Sequence, residues 1–481
     1  MDEPTIEWTR ELSPFDHLMY RMDADSRSRT SLLTVDILDE VPDWQRLCTD
    51  LERASRVALR LRQRVVAPIV PLTPAQWVVD PDFDLRYHVR RIALPAPGSE
   101  RQLLDLAQTL HATPLDQGRP LWEATLVEGL DEAIGGKAAL IWKMSHAVTD
   151  GVGGMALERM TRSEERDPDW GPMPPLPVPE DLSAPDLTRK GIRGLPVSVV
   201  RGAARQVAGA VGAVGRAVSD PAAAARGISG FAGSVQRMAG PAPSEPSPLL
   251  RGRSLNRRFE SHDVALADLR GAAKAHGASV NDAYIAAVCG ALRLYHEGMG
   301  LPIDTLPLAI PISLRSGDDP VAGNQWSGVR IAAPVGEPDP VVRMRIVREQ
   351  VLTARSEPAM NALGVVASAM AWLPAQTISA LGDTGTGADV QASNIPGNPH
   401  PIYEGGGRLV RFIPIGPLPG AAMMIVMSSN AGRCFIGVNY DTASVTNADL
   451  FADSLRRGFD EVIALAPVEP AKASRRKPRS A

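Results

Sequence analysis

Cysteine, a surplus of one charge and long apolar segments are all scarce or missing in this 481-residue sequence. Its three cysteines, Cys48, Cys289 and Cys434, lie far apart and lack the spacing of metal ligands, which indicates a reducing, cytoplasmic compartment. There is no run of about 18 apolar residues that could form a membrane-spanning helix. The acidic N-terminus also lacks the apolar core of a secretory signal. Any contact with a membrane is therefore expected to be peripheral.

The charges nearly balance, since 51 basic residues accompany 55 acidic ones and give a formal net charge of −4. This balance provides no electrostatic basis for binding nucleic acid. With 44% hydrophobic and 22% charged residues, the composition is typical of a soluble globular protein with sizeable cores. The length is sufficient for about two to four domains.

Strand and helix patterns occur together on both sides of a central break, which predicts an α/β fold. In the first part, the patterns predict strands at 32–38, 124–127 and 138–144 and a helix at 44–56. In the second part, they predict strands at 306–310, 423–427 and 435–438 and helices at 279–294 and 447–465.

Two proline-rich stretches, 171–179 and 240–248, interrupt these patterns and divide the chain. From Pro470 onward the chain holds five basic residues and no acid, and this tail is expected to be disordered. The predicted units are an N-terminal domain, a linker with a helical segment, a C-terminal domain and the tail, at 1–170, 171–249, 250–467 and 468–481.

The segment between the two breaks has the periodicity of a basic amphipathic helix. On a wheel of about 100° per residue, its valines share one side and its arginines another. From Arg189 to Gly240, eight basic residues accompany a single acid, Asp220. Such a helix can lie on an anionic membrane surface. Its small apolar face and many glycines instead favour packing on the protein itself, so both roles stay open.

The most specific string in the sequence is Ser145-His146-Ala147-Val148-Thr149-Asp150-Gly151, which follows the apolar run 138–144. This pattern predicts a buried strand, a sharp turn and the start of a helix. A histidine at the end of a buried strand is held rigidly, and its neutral imidazole can accept a proton near pH 7. His146 alone would more often be a structural histidine, so the interpretation depends on the whole string.

Three other polar strings stand in order along the chain. The first, 114–123 (PLDQGRPLWE), ends in Trp122 and Glu123 just before the predicted strand pair. The second, Ser279-Val280-Asn281-Asp282, begins a helix, with Ser279 as its N-cap and Asp282 favoured at the third helical position. The third, 393–397 (SNIPG), contains Asn394 and has the composition of a turn. The residues of these three strings could have structural roles or contact the substrate, and the sequence is compatible with both.

In this order, PLD…RPLWE, HxxxDG, VNDA and SNIPG resemble the bacterial wax ester synthase/diacylglycerol acyltransferase family, over about residues 12–465 apart from the middle segment. The resemblance implies two chloramphenicol-acetyltransferase-like α/β domains, similar to those of peptide-synthetase condensation domains, facing each other across a substrate channel. It implies transfer of a fatty acyl group from acyl-CoA to a diacylglycerol or a long-chain alcohol. It also implies that His146 is the catalytic base.

One position departs from the family pattern, because Ser145 replaces the first histidine of HHxxxDG. Adjacent residues on a strand point to opposite sides, so Ser145 and His146 are not expected to form a nucleophile pair. We expect Ser145 to change the packing behind the site. The histidine to which the family's base is assigned is the second one, and it is present as His146.

The expected mechanism uses no metal, no cofactor besides the co-substrate acyl-CoA, and no covalent intermediate. His146 accepts the proton of the acceptor hydroxyl as that oxygen attacks the thioester, and the imidazolium then protonates the leaving thiolate. A backbone N–H near Gly151 or the Asn281 side chain is a candidate oxyanion donor. Asp150 orients the base or holds the loop through an arginine, for which the candidates are Arg62, Arg64 and Arg315.

Two other functions are compatible with the sequence. A condensation-type enzyme would take its acyl group from a carrier protein, which this self-contained chain disfavours. A catalytically weak paralogue would bind lipid or a partner protein; Ser145 supports this alternative, whereas the retention of His146, Asp150 and Gly151 argues against it. The basic helix and tail would place a membrane-bound form on the inner face of the plasma membrane or on a lipid droplet.

Overall fold

The computed structural model describes residues 8–70, 72–148, 154, 157, 159–194, 242–313, 326–355 and 387–467. Within these ranges the strands are β1 (Leu32–Leu38), β2 (Gln63–Val66), β3 (Gln76–Val79), β4 (Val89–Ala93), β5 (Trp122–Glu128), β6 (Ala138–Met144), β7 (Arg257–Ala265), β8 (Leu306–Ser313), β9 (Trp326–Ala333), β10 (Val390–Ile395), β11 (Tyr403–Glu404), β12 (Gly407–Ile415), β13 (Met423–Asn430) and β14 (Arg433–Asp441).

The helices in the same ranges are α1 (Pro14–Met22), α2 (Trp44–Val57), α3 (Leu85–His88), α4 (Glu100–Ala112), α5 (Leu266–Ala275), α6 (Val280–Gly298), α7 (Pro340–Arg355) and α8 (Ala448–Ile463). A further helical segment covers residues 184–194. The rest of the predicted basic helix and the predicted C-terminal tail lie outside the described residues. None of the helices described here is long and apolar enough to cross a bilayer.

The first large sheet has the strand order β11-β12-β1-β6-β5-β4. Strand β1 lies antiparallel to both β12 and β6, and β6 lies antiparallel to β5. Alternate residues of β1 and β6 pack on opposite faces, which is why both strands are mostly apolar, with Thr34, Asp36 and Lys143 as the exceptions. Helix α2 covers one face through Leu47 and Leu51, and helix α4 covers the other through Leu103 and Leu104. The end of β6 is thereby held on both sides.

The second large sheet has the order β7-β14-β13-β10-β8-β9 and surrounds the largest apolar core. Helix α6 is buried along most of its length and packs against α8. Its start has the predicted N-cap, since Asp282 N donates to Ser279 Oγ (3.2 Å), and the bond from Ser279 N to the Asp282 carboxylate (2.8 Å) completes a capping box. Cys289 and Cys434 are buried in this core.

Strand β12 connects the two sheets, because it comes late in the chain but pairs with β1 in the first sheet. It also contacts β14 of the second sheet. At this contact a Cβ on Gly437 would lie 1.9 Å from the carbonyl oxygen of Pro414, so only glycine permits the approach of the two backbones. The division into consecutive segments at residues 170 and 250 stays a prediction, and β12 shows that the sheets do not follow chain order.

The predicted α/β class is confirmed, and β1 and β6 have the predicted bounds. Strand β5 is longer than predicted. Trp122 and Glu123 were placed just before it, whereas they are its first two residues. The error has a physical reason: the prediction started the strand at the apolar run, but the β5–β6 pairing extends back to Trp122, opposite Met144.

Candidate functional site

The turn that follows β6 holds His146 between buried neighbours. Ser145 N donates to the carbonyl of Leu121 (3.0 Å), and Val148 N donates back to the carbonyl of Ser145 (3.0 Å). Ser145, Ala147 and Val148 are buried, whereas His146 is partly exposed. The residues around His146 are thus buried and hydrogen-bonded, while part of His146 is accessible, on the turn just beyond the end of β6.

The PLDQGRPLWE string packs beneath this turn. Val148 and Leu121 share an apolar cluster with Val65 and Trp77 of the β2–β3 hairpin. The Gln117 side-chain amide donates to the carbonyl of Tyr20 in α1 (2.9 Å), which ties the string to the first helix. Its polar residues therefore contribute to positioning the turn, and the string as a whole has a structural explanation.

The Ser145 hydroxyl points toward Asp23, the residue that caps the end of α1. This hydrogen bond gives Ser145 a structural role instead of that of a nucleophile. The Ser145 Oγ donates to Asp23 Oδ2 and accepts a hydrogen bond from Ala147 N (3.2 Å). Asp23 Oδ1 also accepts from Thr30 N (2.7 Å) and Thr30 Oγ1 (2.8 Å). Three donors thus converge on one carboxylate directly behind the turn that carries His146.

The Asp23 carboxylate interacts electrostatically with the imidazole of His146. Burial raises the pKa of Asp23, while the hydrogen bonds from Ser145 and Thr30 and the charge of His146 act in the opposite direction. Because all three hydrogen-bond donors favour the ionised form, Asp23 is suited to stabilise a positive charge on the imidazole. Asp23 could not be recognised in the sequence, since 122 residues separate it from Ser145 and only the fold joins them.

Lys143, two residues before Ser145, is a buried cation at the same end of β6. Its ammonium donates to the carbonyl of Thr113 and lies 4.0 Å from Glu123. Burial lowers the pKa of Lys143 to about 8. Glu123 in turn pairs with Arg90 at 3.0 Å, so its carboxylate has two cationic neighbours. These contacts give Glu123 a structural role.

Trp122 is fully buried and belongs to the core. Its indole N–H donates to the carbonyl of Leu61 (2.8 Å), and its ring stacks on His88 at 4.7 Å between centroids. The carbonyl of Trp122 is 2.7 Å from His88 Nδ1. Trp122 thus fixes the start of β5, and these contacts account for its place in the motif.

The three candidate residues of the second half lie at element ends. Asp282 caps α6 and pairs with Arg348 at 3.3 Å. Asn281 is the second residue of the same helix and is partly exposed. Asn394 is partly exposed near the end of β10, opposite Met427 of β13. Asp282 is therefore engaged in capping, whereas Asn281 and Asn394 retain exposed polar surface.

Two of the three arginine candidates for Asp150, Arg62 and Arg64, have other partners in the structure. Arg62 binds Glu52 (2.5 Å) and Ser55 (3.0 Å), and Arg64 lies 3.7 Å from Asp80. Asp150, Gly151 and Arg315 lie outside the described residues, so the pairing of Asp150 stays a prediction. Within the part of the chain that the structure describes, there is no cluster of three or more acidic, histidine or cysteine residues that could hold a metal ion.

Another buried ion pair network lies after the motif and joins the two halves of the chain. The Arg162 guanidinium binds Asp36 of β1 and Glu404 of β11. The Glu404 carboxylate also accepts from Trp142 Nε1 of β6 (3.3 Å). All three charged side chains are buried. The segment that leaves the His146 turn is therefore anchored to strands from both ends of the sequence.

Comparison with known proteins adds two family matches. The sequence matches the wax ester synthase/diacylglycerol acyltransferase catalytic domain over residues 12–284. It matches the C-terminal domain of the same family over residues 322–462. Together these matches cover most of the chain.

Full-length relatives agree with the family matches. The chain is 50% identical over 456 residues to a Mycobacterium tuberculosis H37Rv protein provisionally named a diacylglycerol O-acyltransferase, covering 95% of this chain and 92% of that protein. It is 33% identical over 383 residues to a further provisionally named diacylglycerol O-acyltransferase of strain CDC 1551, covering 75% and 78%.

Solved structures show the fold. The wax ester synthase/diacylglycerol acyltransferase of Marinobacter aquaeolei VT8 matches with a TM-score of 0.64 at 22% identity, covering 95% of this chain and 99% of that chain. The first condensation domain of the CDA synthetase matches with a TM-score of 0.58 at 15% identity, covering 95% and 96%. The expected chloramphenicol-acetyltransferase-like two-domain fold is thereby confirmed.

Proposed function

Because the chain belongs to the wax ester synthase/diacylglycerol acyltransferase family, we propose that His146 is the general base of its acyl-CoA-dependent O-acyltransferase reaction. The observation that carries this proposal is the partly exposed residue His146 on a turn whose neighbouring residues are buried and hydrogen-bonded. A base held in this way keeps its orientation while substrates enter and leave.

The acceptor is a diacylglycerol, which yields triacylglycerol, or a long-chain alcohol, which yields a wax ester. His146 takes the hydroxyl proton as the acceptor oxygen attacks the thioester carbonyl carbon. The tetrahedral intermediate collapses, the C–S bond breaks, and the imidazolium returns the proton to the CoA thiolate. Ester and free CoA are the only products, so the reaction as proposed requires neither a metal nor a cofactor.

Asp23 supports this step by its charge. When His146 holds the proton, the Asp23 carboxylate behind it interacts favourably with the imidazolium. The hydrogen bonds from Thr30 and Ser145 hold the carboxylate in place and favour its ionised form, against burial, which raises the pKa of Asp23. Ser145 in this chain thus contributes to the environment of the base through Asp23, without taking part in the covalent chemistry.

The remaining site assignments complete the proposal. Asn281 or a backbone N–H near Gly151 would stabilise the oxyanion, and Asp150 would hold the loop. The fatty acyl-CoA and the acceptor would meet in the channel between the two domains. Since the acceptors are lipids, we expect peripheral contact with the inner face of the plasma membrane or with a lipid droplet.

The test is thiol release from palmitoyl-CoA by the full chain, with dipalmitoylglycerol or hexadecanol as acceptor. His146→Ala should lower acceptor-dependent release by about 10²–10⁴-fold, because general base catalysis contributes that much. His276→Ala is the matched control, since His276 is exposed beyond the end of α5 and should leave the rate unchanged. Wild-type rates in the folded His146→Ala variant would exclude His146 as the base.

A further inference from the structure

An exposed apolar and basic surface lies at the tip of the β2–β3 hairpin. Ile69 and Val70 in the connection of this hairpin are 70% and 45% exposed, and Ile192 of the helical segment 184–194 is 58% exposed. The Ile69 N–H donates to Thr188 Oγ1 (2.9 Å), one helical turn before Ile192. The three apolar side chains therefore belong to one surface, which we call the hairpin-tip surface.

Basic side chains border these apolar residues. Arg189, Lys190 and Arg193 are exposed on the same helical segment. Arg189 pairs with Asp186 at 2.7 Å, but within the described ranges Lys190 and Arg193 form no ion pair. Apolar side chains projecting among unpaired cations are typical of a surface that inserts into the headgroup region of an anionic bilayer.

We propose that the hairpin-tip surface docks the protein on an anionic lipid bilayer and brings the active site to its lipid acceptor. The inference rests on the proposed function, since it assumes an acceptor that resides in the membrane. It extends the contact expected from the basic segment, because the hairpin residues Ile69 and Val70 add an apolar part from the N-terminal sheet region beside the first residues of that segment.

The hairpin connects this surface to the catalytic turn. On one side of the hairpin, Val65 and Trp77 pack against Val148, two residues after His146. On the other side, Val66 and Val78 pack against Leu187 of the helical segment. Ile69 is four residues from Val65, so their Cα atoms are at most about 14 Å apart. A bilayer on the hairpin tip would lie close to the His146 turn.

Charge favours anionic lipid as the occupant of this surface over a second copy of the chain and over the segment that follows residue 194. A second copy of the chain in a two-fold dimer would place Lys190 and Arg193 against the same cations. The chain that follows is also basic, since eight basic residues and one acid occur from Arg189 to Gly240. Anionic lipid is the complementary partner, and its binding should weaken as salt is added.

The experiment is cosedimentation of the full chain with vesicles of phosphatidylcholine, with and without phosphatidylglycerol. The wild type should prefer the anionic vesicles. Lys190→Ala with Arg193→Ala should weaken binding by about 25-fold, at about fivefold for each cation near the surface. Ile69→Ser with Ile192→Ser should weaken it by about tenfold or more. Lys274→Ala and Leu352→Ser, at exposed positions on α5 and α7, are matched controls.

Acyl transfer separates failure of this inference from failure of the proposed function. The hairpin-tip variants should lose turnover on diacylglycerol held in vesicles and retain it on an alcohol dissolved in buffer. Equal vesicle binding by wild type and variants, or no binding by the wild type, would overturn the docking surface while leaving turnover on the dissolved alcohol intact. A change in oligomeric state with unchanged vesicle binding would assign the surface to a second copy instead.

Discussion

Removal of the Ser145 hydroxyl tests both the support of the catalytic turn and the mechanism. In Ser145→Ala, Asp23 Oδ2 loses a donor and Ala147 N–H loses its acceptor, in a place where Ser145 itself is fully buried. A hydrogen bond to a charged group contributes about 1.5–3 kcal/mol, and a buried N–H left without a partner costs about 1–3 kcal/mol. The 3.2 Å bond to Ala147 is the weaker of the two. We expect the free energy of unfolding to fall by about 2–4 kcal/mol.

A double-mutant cycle isolates the pair. Asp23→Asn keeps the size of the side chain and an oxygen for Thr30, but it removes the charge that faces Ser145 and His146. Measured by denaturant unfolding, Ser145→Ala and Asp23→Asn should couple by about 1.5–2 kcal/mol. A coupling energy near zero would show that the Ser145–Asp23 hydrogen bond does not contribute to stability.

Turnover of the same variant distinguishes two mechanisms. The backbone bonds of Ser145 to Leu121 and Val148 do not involve its hydroxyl, so the turn keeps its main support in Ser145→Ala. We expect kcat to fall by less than about tenfold, since no transition-state contact of the base is removed. A loss near 10⁴-fold in a folded variant, together with a burst of free CoA from the wild type, would mean that Ser145 is an acylated nucleophile and would contradict a mechanism without a covalent intermediate.

Two further predictions concern the stability of the fold. Gly437→Ala should destabilise the protein by about 3 kcal/mol or more, because the added Cβ would lie 1.9 Å from the Pro414 carbonyl oxygen; Gly194→Ala, where the space is open, is the control for thermal unfolding. Burial lowers the pKa of His111 on α4 to about 4 from a value of 6.5 when unfolded, so the unfolded chain binds more protons between these pH values. The free energy of unfolding should therefore decrease by about 3 kcal/mol as the pH falls from 6.5 to 4. His111→Gln should remove this part of the pH dependence. An identical pH profile of stability in the variant would contradict the assignment to His111.

The core strands could be predicted because most of their residues are apolar. Strands β1 and β6 lie inside the first sheet between α2 and α4, so apolar residues occupy most positions on both faces and mark their bounds. The short hairpin strands β2 and β3 carry polar residues among apolar ones and could not be separated from loop. The pairing of β12 with β1 could not be predicted either, since pairing between distant segments leaves no local sequence pattern.

Site residues that belong to a contiguous sequence motif could be predicted. Site residues that the fold brings together from distant parts of the chain could not. His146 and the Ser279–Asp282 cap follow from local sequence. Asp23 and Lys143 carry no local signal, because their importance arises from contacts with residues 122 and 30 positions away. The structure likewise explains Trp122 by its bonds to Leu61 and His88, which the sequence could not show.

The late arrival of β12 has a consequence for synthesis of the protein on the ribosome. Arg408, at the start of β12, bonds to Asp39 at the end of β1, 369 residues earlier. At about 5–20 residues per second, the ribosome needs about 20–70 s to make the intervening chain. During this time β1 has an unpaired edge, and an unpaired apolar edge is a template for association with other chains. The nascent protein is therefore expected to depend on chaperones until its last third has emerged.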